Sequence, residues 1–164
     1  IVLSGGSAFG LDATNGVVEY LREQGKGFAM GPFNVPIVPT AIIFDLRNGG
    51  DKTWHKNPYP ALGRQAIENA SENFQLGSHG AGFGATTGQV KGGIGSASSI
   101  LSNGVIVGAL VIVNAMGNVI DPVSGKFWAA PFELENEFGG YGAPGDAIYG
   151  SALKYSKINS IKEG

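Results

Sequence analysis

A glycine-rich segment at residues 77–98 constrains the fold of this chain more than any other feature. Its sequence is GSHGAGFGATTGQVKGGIGSAS, in which nearly all the other residues are small or hydroxylated. Glycine adopts positive φ without strain and lets a backbone lie close to a ligand or to another strand. We therefore expect the segment to line a site or to pass close beside one. Its eight glycines are Gly77, Gly80, Gly82, Gly84, Gly88, Gly92, Gly93 and Gly95.

The length and composition indicate one globular domain over residues 1–164. Glycine accounts for 28 of the 164 residues, well above the usual share of about 7%. There is no collagen-like period, and the aliphatic runs argue against disorder. Hydrophobic residues make up 43% and charged residues 15%, which predicts extensive buried or subunit-facing surface. The net charge of −2 and the scattered lysines do not predict nucleic-acid binding.

The absence of cysteine excludes disulfides and thiolate metal sites. It also fits a reducing compartment, so we expect a cytoplasmic location. The chain begins with Ile-Val-Leu in what is predicted as a buried strand, and its polar end stops at Gly164 without a core element. These two ends lead us to expect a piece of a longer precursor.

Hydrophobic patterning predicts both helices and strands, which favours a layered α/β domain. Asp12 is predicted to cap the first helix, and Gly25 to end it. A hairpin partner for the most apolar strand is expected at residues 119–120. The predicted helices are Asp12–Gln24 and Ala61–Ala70, and the predicted strands are Ile1–Ser4, Pro36–Leu46 and Val105–Val113.

The segment Ser4–Gly10, SGGSAFG, joins the first strand to the first helix. It lacks Gly-Lys-Ser/Thr and is therefore not a P-loop, and it does not fit the dinucleotide-binding pattern GxGxxG. Two alternatives remain. The backbone amides could form an anion-binding nest, or the glycines could allow tight packing between strand and helix, which is the favoured interpretation.

Few side chains in the sequence suggest acid–base or metal chemistry. His55 lies in a polar loop and His79 among glycines; His79 is the better candidate for a base, although a surface role is favoured for each. Two distant histidines without clustered carboxylates do not predict a metal site. Asp12, Asp45 and Asp121 follow strands or open helices, so capping and turn roles are expected for them.

Asn114 ends the most apolar strand, at the point where the chain turns. Its amide can donate two hydrogen bonds. At a strand end, such a donor could face a developing oxyanion, as in acyl-transfer enzymes. The alternative is that Asn114 only satisfies the turn, and the residues alone do not favour either interpretation.

Four segments together resemble a known family. Their order and spacing over residues 1–122 are similar to those of the L-aminopeptidase/D-esterase family, the DmpA/ArgJ-like group that includes β-peptidyl aminopeptidases and nylon-oligomer hydrolases. The segments are GGSAFGLDA (Gly5–Ala13), VPIVPTAIIFDL (Val35–Leu46), GAGFGATTGQVKGGIGSAS (Gly80–Ser98) and VGALVIVNAMGNVIDP (Val107–Pro122).

The resemblance implies a four-layer αββα sandwich shared between two chains. Members of the family cleave their own precursor before a Ser or Thr, which becomes the N-terminal nucleophile of a second, smaller chain and can use its own α-amino group as the base. This chain would be the larger α fragment, ending near the cleavage site at Gly164. The implied activity is hydrolysis of an amide bond in a small peptide or amide, by an oligomer of αβ units and with no metal or cofactor.

The resemblance also implies site residues. The family's oxyanion-stabilising asparagine falls on Asn114. Phe44 stands where nylon-oligomer hydrolases have a tyrosine, and Gln89 where they have a lysine; both are expected to shape the substrate pocket. Lys91 lies two residues from Gln89 and could take the place of the missing lysine. Phe44 lacks a hydroxyl and Gln89 lacks a charge, which argues against nylon-oligomer hydrolysis.

The sequence is also compatible with two other functions. The ornithine acetyltransferase branch of the superfamily uses the same self-cleaved threonine to carry an acetyl group. A non-catalytic binding subunit is the third alternative, motivated by Phe44 and Gln89.

Overall fold

The computed structural model of the chain describes residues 1–88, 90–145 and 156–157, and it shows a mixed α/β arrangement with small sheets. The chain divides into two compact units. The first comprises Ile1–Ala85 and Gly92–Asn114, and the second comprises Thr86–Lys91 and Ala115–Gly164. The single domain expected over residues 1–164 stays a prediction.

Two helices and eight short strands are present in the described part of the chain. The helices are α1 (Ala13–Glu23) and α2 (Tyr59–Glu68). The strands are β1 (Val2–Ser4), β2 (Phe28–Met30), β3 (Phe33–Val35), β4 (Thr40–Ile42), β5 (Thr86–Thr87), β6 (Val90–Lys91), β7 (Ile94–Ile100) and β8 (Ile106–Ile112).

In the first unit, β1 pairs in parallel with β4, with Val2 opposite Thr40 and Ser4 opposite Ile42. A parallel pair needs a long crossover, and this one contains α1 and the β2–β3 hairpin. The strands predicted at both places are confirmed with shorter bounds, but not as buried strands, because Leu3 and Ala41 are exposed. The second begins late because Pro36 and Pro39 have no N–H to donate to a neighbouring strand.

Helices α1 and α2 pack closely through two glycines. A Cβ on Gly63 would overlap the carbonyl oxygen of Ala13, and a Cβ on Gly16 would overlap the carbonyl oxygen of Pro60. At the surface, Arg64 of α2 binds the carboxylate of Glu23 through two hydrogen bonds of 2.8 and 2.7 Å. Both predicted helices are confirmed, and the glycines set the distance between them.

The predicted cap of the first helix is wrong. A 3₁₀ helix, Ser7–Asp12, runs directly into α1, so Asp12 already has helical dihedral angles (φ −68°, ψ −12°). Its side chain therefore makes no capping hydrogen bond. The carboxylate accepts hydrogen bonds from the side-chain amides of Asn57 and Asn15 instead.

The most apolar strand pairs with the glycine-rich segment. β8 forms an antiparallel hairpin with β7, with Ile94 opposite Ile112 and Ile100 opposite Ile106. The strand prediction at Val105–Val113 is confirmed, but its expected partner at residues 119–120 is wrong. That partner contributes only one bridge, from Ile120 to Phe127.

Two stretches of backbone within the glycine-rich segment approach each other closely. Gly77 and Ile94 exchange two backbone hydrogen bonds of 2.8 and 2.9 Å. A Cβ on Gly93 would lie 2.7 Å from the Cα of Gly77. At this point the chain needs a residue without a side chain.

Asp121 organises a turn in the second unit, in agreement with its predicted role. Its buried carboxylate accepts hydrogen bonds from the Ser124 hydroxyl (2.6 Å) and from the backbone amides of Ser124 (3.0 Å) and Val123 (3.2 Å). These donors favour the charged form, with the Ser124 hydroxyl as the largest contributor, and they lower the pKa of Asp121.

This lowered pKa predicts a pH-dependent contribution to stability. A carboxylate with a lowered folded-state pKa stabilises the fold above its unfolded pKa of about 4, and the contribution disappears as the pH falls through the folded value. We expect Asp121→Asn to have a lower melting temperature than the wild type at pH 7. The difference in melting temperature should shrink as the pH falls from 4 to 3. Thermal melting of both proteins across this range checks it. A difference in melting temperature that does not change with pH would contradict the prediction.

None of the helices in the described ranges is long and apolar enough to cross a membrane.

Candidate functional site

Asn114 lies two residues after the end of β8, and its side-chain amide has a fixed direction. The backbone N–H of Phe44 donates a hydrogen bond of 2.9 Å to its Oδ1. A backbone N–H can only donate, so the atom that faces it must be the acceptor oxygen. The Nδ2 group, with its two hydrogens, therefore points away from Phe44. Within the described residues, Nδ2 has no hydrogen-bond partner in the protein.

Phe44 lies two residues beyond β4 and has a half-buried side chain. Ile43, just before it, still bonds to the Ser4–Ser7 segment through both its N–H and its carbonyl, as a strand residue does. Successive amides of an extended segment point in opposite directions. Ile43 donates its N–H to the carbonyl of Ser4, on the side of β1. The Phe44 amide consequently points the other way, toward Asn114. The structure thus brings together two residues that the sequence predicted for one site.

Asp45 follows Phe44, and its carboxylate is buried, with 8% of the residue exposed. Oδ1 accepts a 2.6 Å hydrogen bond from the backbone N–H of Gly6. Oδ2 lies so close to Gly5 and Gly84 that a Cβ on either glycine would collide with it. Asp45 opens a turn, as expected, through its carbonyl, which accepts the Asn48 N–H at 2.9 Å. Its carboxylate does not cap that turn or a helix, because it binds a segment 39 residues earlier.

The phenol of Tyr59 lies next to the same group of residues. A Cβ on Gly6 would overlap its ring. Burial raises the pKa of Tyr59, and the negative charge of Asp45 raises it further. The Tyr59 hydroxyl therefore stays protonated at neutral pH and is not a base.

The turn at Ser4–Ser7 has two consecutive residues with positive φ: Gly6 (89°) and Ser7 (52°). Positive φ is strained for serine, which has a Cβ. The amide of Gly6 binds Asp45, and the amide of Ser7 binds the carbonyl of Ile43 at 3.0 Å. Because both amides have protein acceptors, the packing interpretation of this segment is favoured over the anion nest.

The remaining predicted site residues are Lys91, Gln89, Gly164 and the two histidines. Lys91 is exposed on β6 of the second unit. Gln89 and Gly164 lie outside the described residues. His55 and His79 are both exposed, and neither imidazole has a hydrogen bond to a described residue. The described residues contain no group of three or more His, Asp or Glu side chains able to hold a metal ion.

The arrangement supplies one oriented amide donor, at Asn114. The Phe44 N–H holds this amide, and the neighbouring Asp45 is itself hydrogen-bonded to Gly6. Sequence reasoning identified Asn114 but missed its orientation by Phe44, because a main-chain donor leaves no signal in the sequence. It also missed the buried carboxylate of Asp45. The alternation of Ile43, Phe44 and Asp45 at the end of a strand was the one available signal for that burial.

Comparison with known proteins shows the family of the chain. The profile of peptidase family S58 matches residues 1–151. An uncharacterized aminopeptidase of Mycobacterium tuberculosis is 45% identical over 161 residues, covering 98% of this chain and 45% of the relative. An uncharacterized aminopeptidase of Mycobacterium leprae is 37% identical over 169 residues, with the same two coverages.

A more distant relative is the 6-aminohexanoate-oligomer endohydrolase of Paenarthrobacter ureafaciens, 34% identical over 131 residues, which are 74% of this chain and 35% of the relative. The chain thus spans less than half the length of these relatives. Both the family profile and the mycobacterial aminopeptidases cover nearly all of it, and the chain belongs to peptidase family S58.

Proposed function

We propose that the complete protein is a hydrolase of amide bonds, of the aminopeptidase or amidase type. The observation that carries this proposal is the 2.9 Å hydrogen bond from Phe44 N–H to Asn114 Oδ1, which turns Nδ2 outward as a donor. Membership of a peptidase family and the names of the mycobacterial relatives support it.

The proposed nucleophile is an N-terminal Ser or Thr on a second chain made from the same precursor. Its Oγ attacks the substrate carbonyl carbon while its proton passes to the α-amino group of the same residue. Nδ2 of Asn114 donates a hydrogen bond to the resulting oxyanion. Collapse of the tetrahedral intermediate breaks the C–N bond, and the α-ammonium group protonates the leaving amine. Water then hydrolyses the acyl-enzyme.

We propose a four-layer αββα sandwich for the complete fold, with the second chain covering apolar surface of this one. The β7–β8 hairpin supports this proposal, because Ile100 is 72% exposed and Ile106 is 69% exposed. Aliphatic side chains of this size are normally covered in a folded enzyme. In this proposal Phe44, Gln89 and Lys91 contact the substrate, the cleavage site lies near Gly164, and αβ units assemble into oligomers.

The proposal is tested on the complete natural protein, purified without denaturation. We expect intact mass and N-terminal sequencing to find a second polypeptide that begins with Ser or Thr. We also expect release of p-nitroaniline from aminoacyl p-nitroanilides, with 6-aminohexanoate oligomers assayed alongside to separate two substrate classes. A single uncleaved chain that is inactive on both classes would refute the proposal.

A further inference from the structure

The residues on both sides of Phe44 are held by the strained turn at Ser4–Ser7. Ile43 exchanges backbone hydrogen bonds with this turn, donating to Ser4 (2.9 Å) and accepting from Ser7 (3.0 Å). On the other side of Phe44, Leu46 donates its N–H to the Ser7 hydroxyl at 3.2 Å. The turn therefore fixes the backbone immediately before and after the amide that orients Asn114.

Asp45 makes the strongest of these connections. A hydrogen bond from an N–H to a carboxylate is shorter and stronger than one between neutral groups, and the distance from Gly6 N to Asp45 Oδ1 is 2.6 Å. A buried carboxylate is costly unless it is hydrogen-bonded. Gly5 and Gly84 lie so close to the other carboxylate oxygen that a side chain on either would collide with it. Asp45 therefore locks the turn to the segment that contains Phe44.

We infer that Asp45 is a positioning residue for the oxyanion donor. Through Gly6 and the Ser4–Ser7 turn it holds the Phe44 N–H in place, and this N–H holds the Asn114 amide with Nδ2 outward. Asp45 does not touch the substrate in this scheme. The inference rests on the proposed function for the role of Asn114, and on the described hydrogen bonds for the link between Asp45 and Asn114.

The first test compares two substitutions at Asp45 in the complete protein, with an aminoacyl p-nitroanilide as substrate. Asp45→Ala removes the acceptor of the Gly6 N–H, and a misplaced catalytic group costs about 10- to 100-fold in rate. We expect that loss in kcat, with KM within about twofold. Asp45→Asn keeps an acceptor oxygen and is expected to recover most of the rate.

The control is Asp51→Asn. Asp51 is an exposed aspartate of the same unit, and its carboxylate accepts hydrogen bonds only from Thr53 among the described residues. Its kcat is expected to match the wild type. An Asp45→Ala variant with wild-type kcat, or one with only a raised KM, would overturn the inference.

A double-mutant cycle separates positioning from general stability. In an Asn114→Ala background the oriented donor is gone, so Asp45→Ala should lower kcat by less than about twofold. An equal loss in both backgrounds would overturn the inference but would leave the proposed function intact. If Asp45→Ala does not fold, Ser7→Ala takes its place in the cycle, because it removes the acceptor of the Leu46 N–H.

A crystal structure of the Asp45→Ala variant tests the link between Asp45 and Asn114 without an activity measurement. We expect the Phe44 N–Asn114 Oδ1 distance to lengthen from 2.9 Å to beyond hydrogen-bonding range, about 3.5 Å. An unchanged distance would overturn the inference. If Asn114→Ala instead leaves kcat unchanged, the proposed oxyanion role fails, and this structure alone decides whether Asp45 orients Asn114.

Discussion

Replacing Asn114 with alanine is expected to lower kcat roughly 10²- to 10³-fold, with little change in KM. Loss of one oxyanion-hole donor typically has an effect of this size, because the donor binds the transition state more strongly than the ground state. The Oδ1–Phe44 contact turns Nδ2 outward before substrate arrives. Steady-state kinetics on the best p-nitroanilide substrate measures the effect.

Asn103→Ala is the matched control. Asn103 also accepts a backbone N–H through Oδ1, from Val105 at 3.1 Å, but it lies in the turn between β7 and β8. Its kcat should stay close to that of the wild type, and intact mass should show the same processing in both variants. Wild-type kcat for a correctly processed Asn114→Ala protein would remove Asn114 from the mechanism.

The second large effect is expected at the contact between the two helices. Gly63→Ala should destabilise the protein by about 3 kcal/mol, the upper end of the usual range for overpacking. The added methyl group would overlap the carbonyl oxygen of Ala13 and lie 2.9 Å from its Cα. These are backbone atoms, so no side-chain rotation relieves the clash. The gain of about 1 kcal/mol in helix propensity is too small to offset it.

Urea unfolding of the complete protein measures this loss. Gln65→Ala is the control, because Gln65 lies on the exposed surface of the same helix and alanine also raises helix propensity there. The control should unfold at the wild-type urea concentration or slightly above it. A Gly63→Ala protein as stable as this control would show that the helices can separate at no cost.

The sequence identified the helices and the apolar strands because their patterns are strong. Apolar residues recur four apart in each helix, as Val17 and Leu21 do in α1 and Leu62 and Ala66 do in α2. The run VIVGALVIV is typical of a strand. β7 was missed because IGSASSI is rich in glycine, serine and alanine, which have weak strand propensity. Its pairing with β8 depends on tertiary structure that local patterns do not contain.

The site was predictable only where a side chain carried the signal. Asn114 drew attention because an amide ends the most apolar strand, but only the family resemblance favoured an oxyanion role over a turn role. Asp45 and Gly6 are 39 residues apart in the chain, and a single sequence does not show which distant residues are in contact. Phe44 was noticed for its ring, whereas its contribution to the observed contact comes from its main chain.

The main-chain origin of the Phe44–Asn114 contact bears on how members of this family diverge. The N–H that orients Asn114 is present in every amino acid except proline, so position 44 can exchange phenylalanine for tyrosine, or for a smaller residue, and keep the contact. Under the proposed function, substitutions at this position would alter substrate preference and leave the direction of the Asn114 amide unchanged. If the complete protein hydrolyses amides as proposed, selection for new substrates would act on position 44 without disturbing the proposed donor at Asn114.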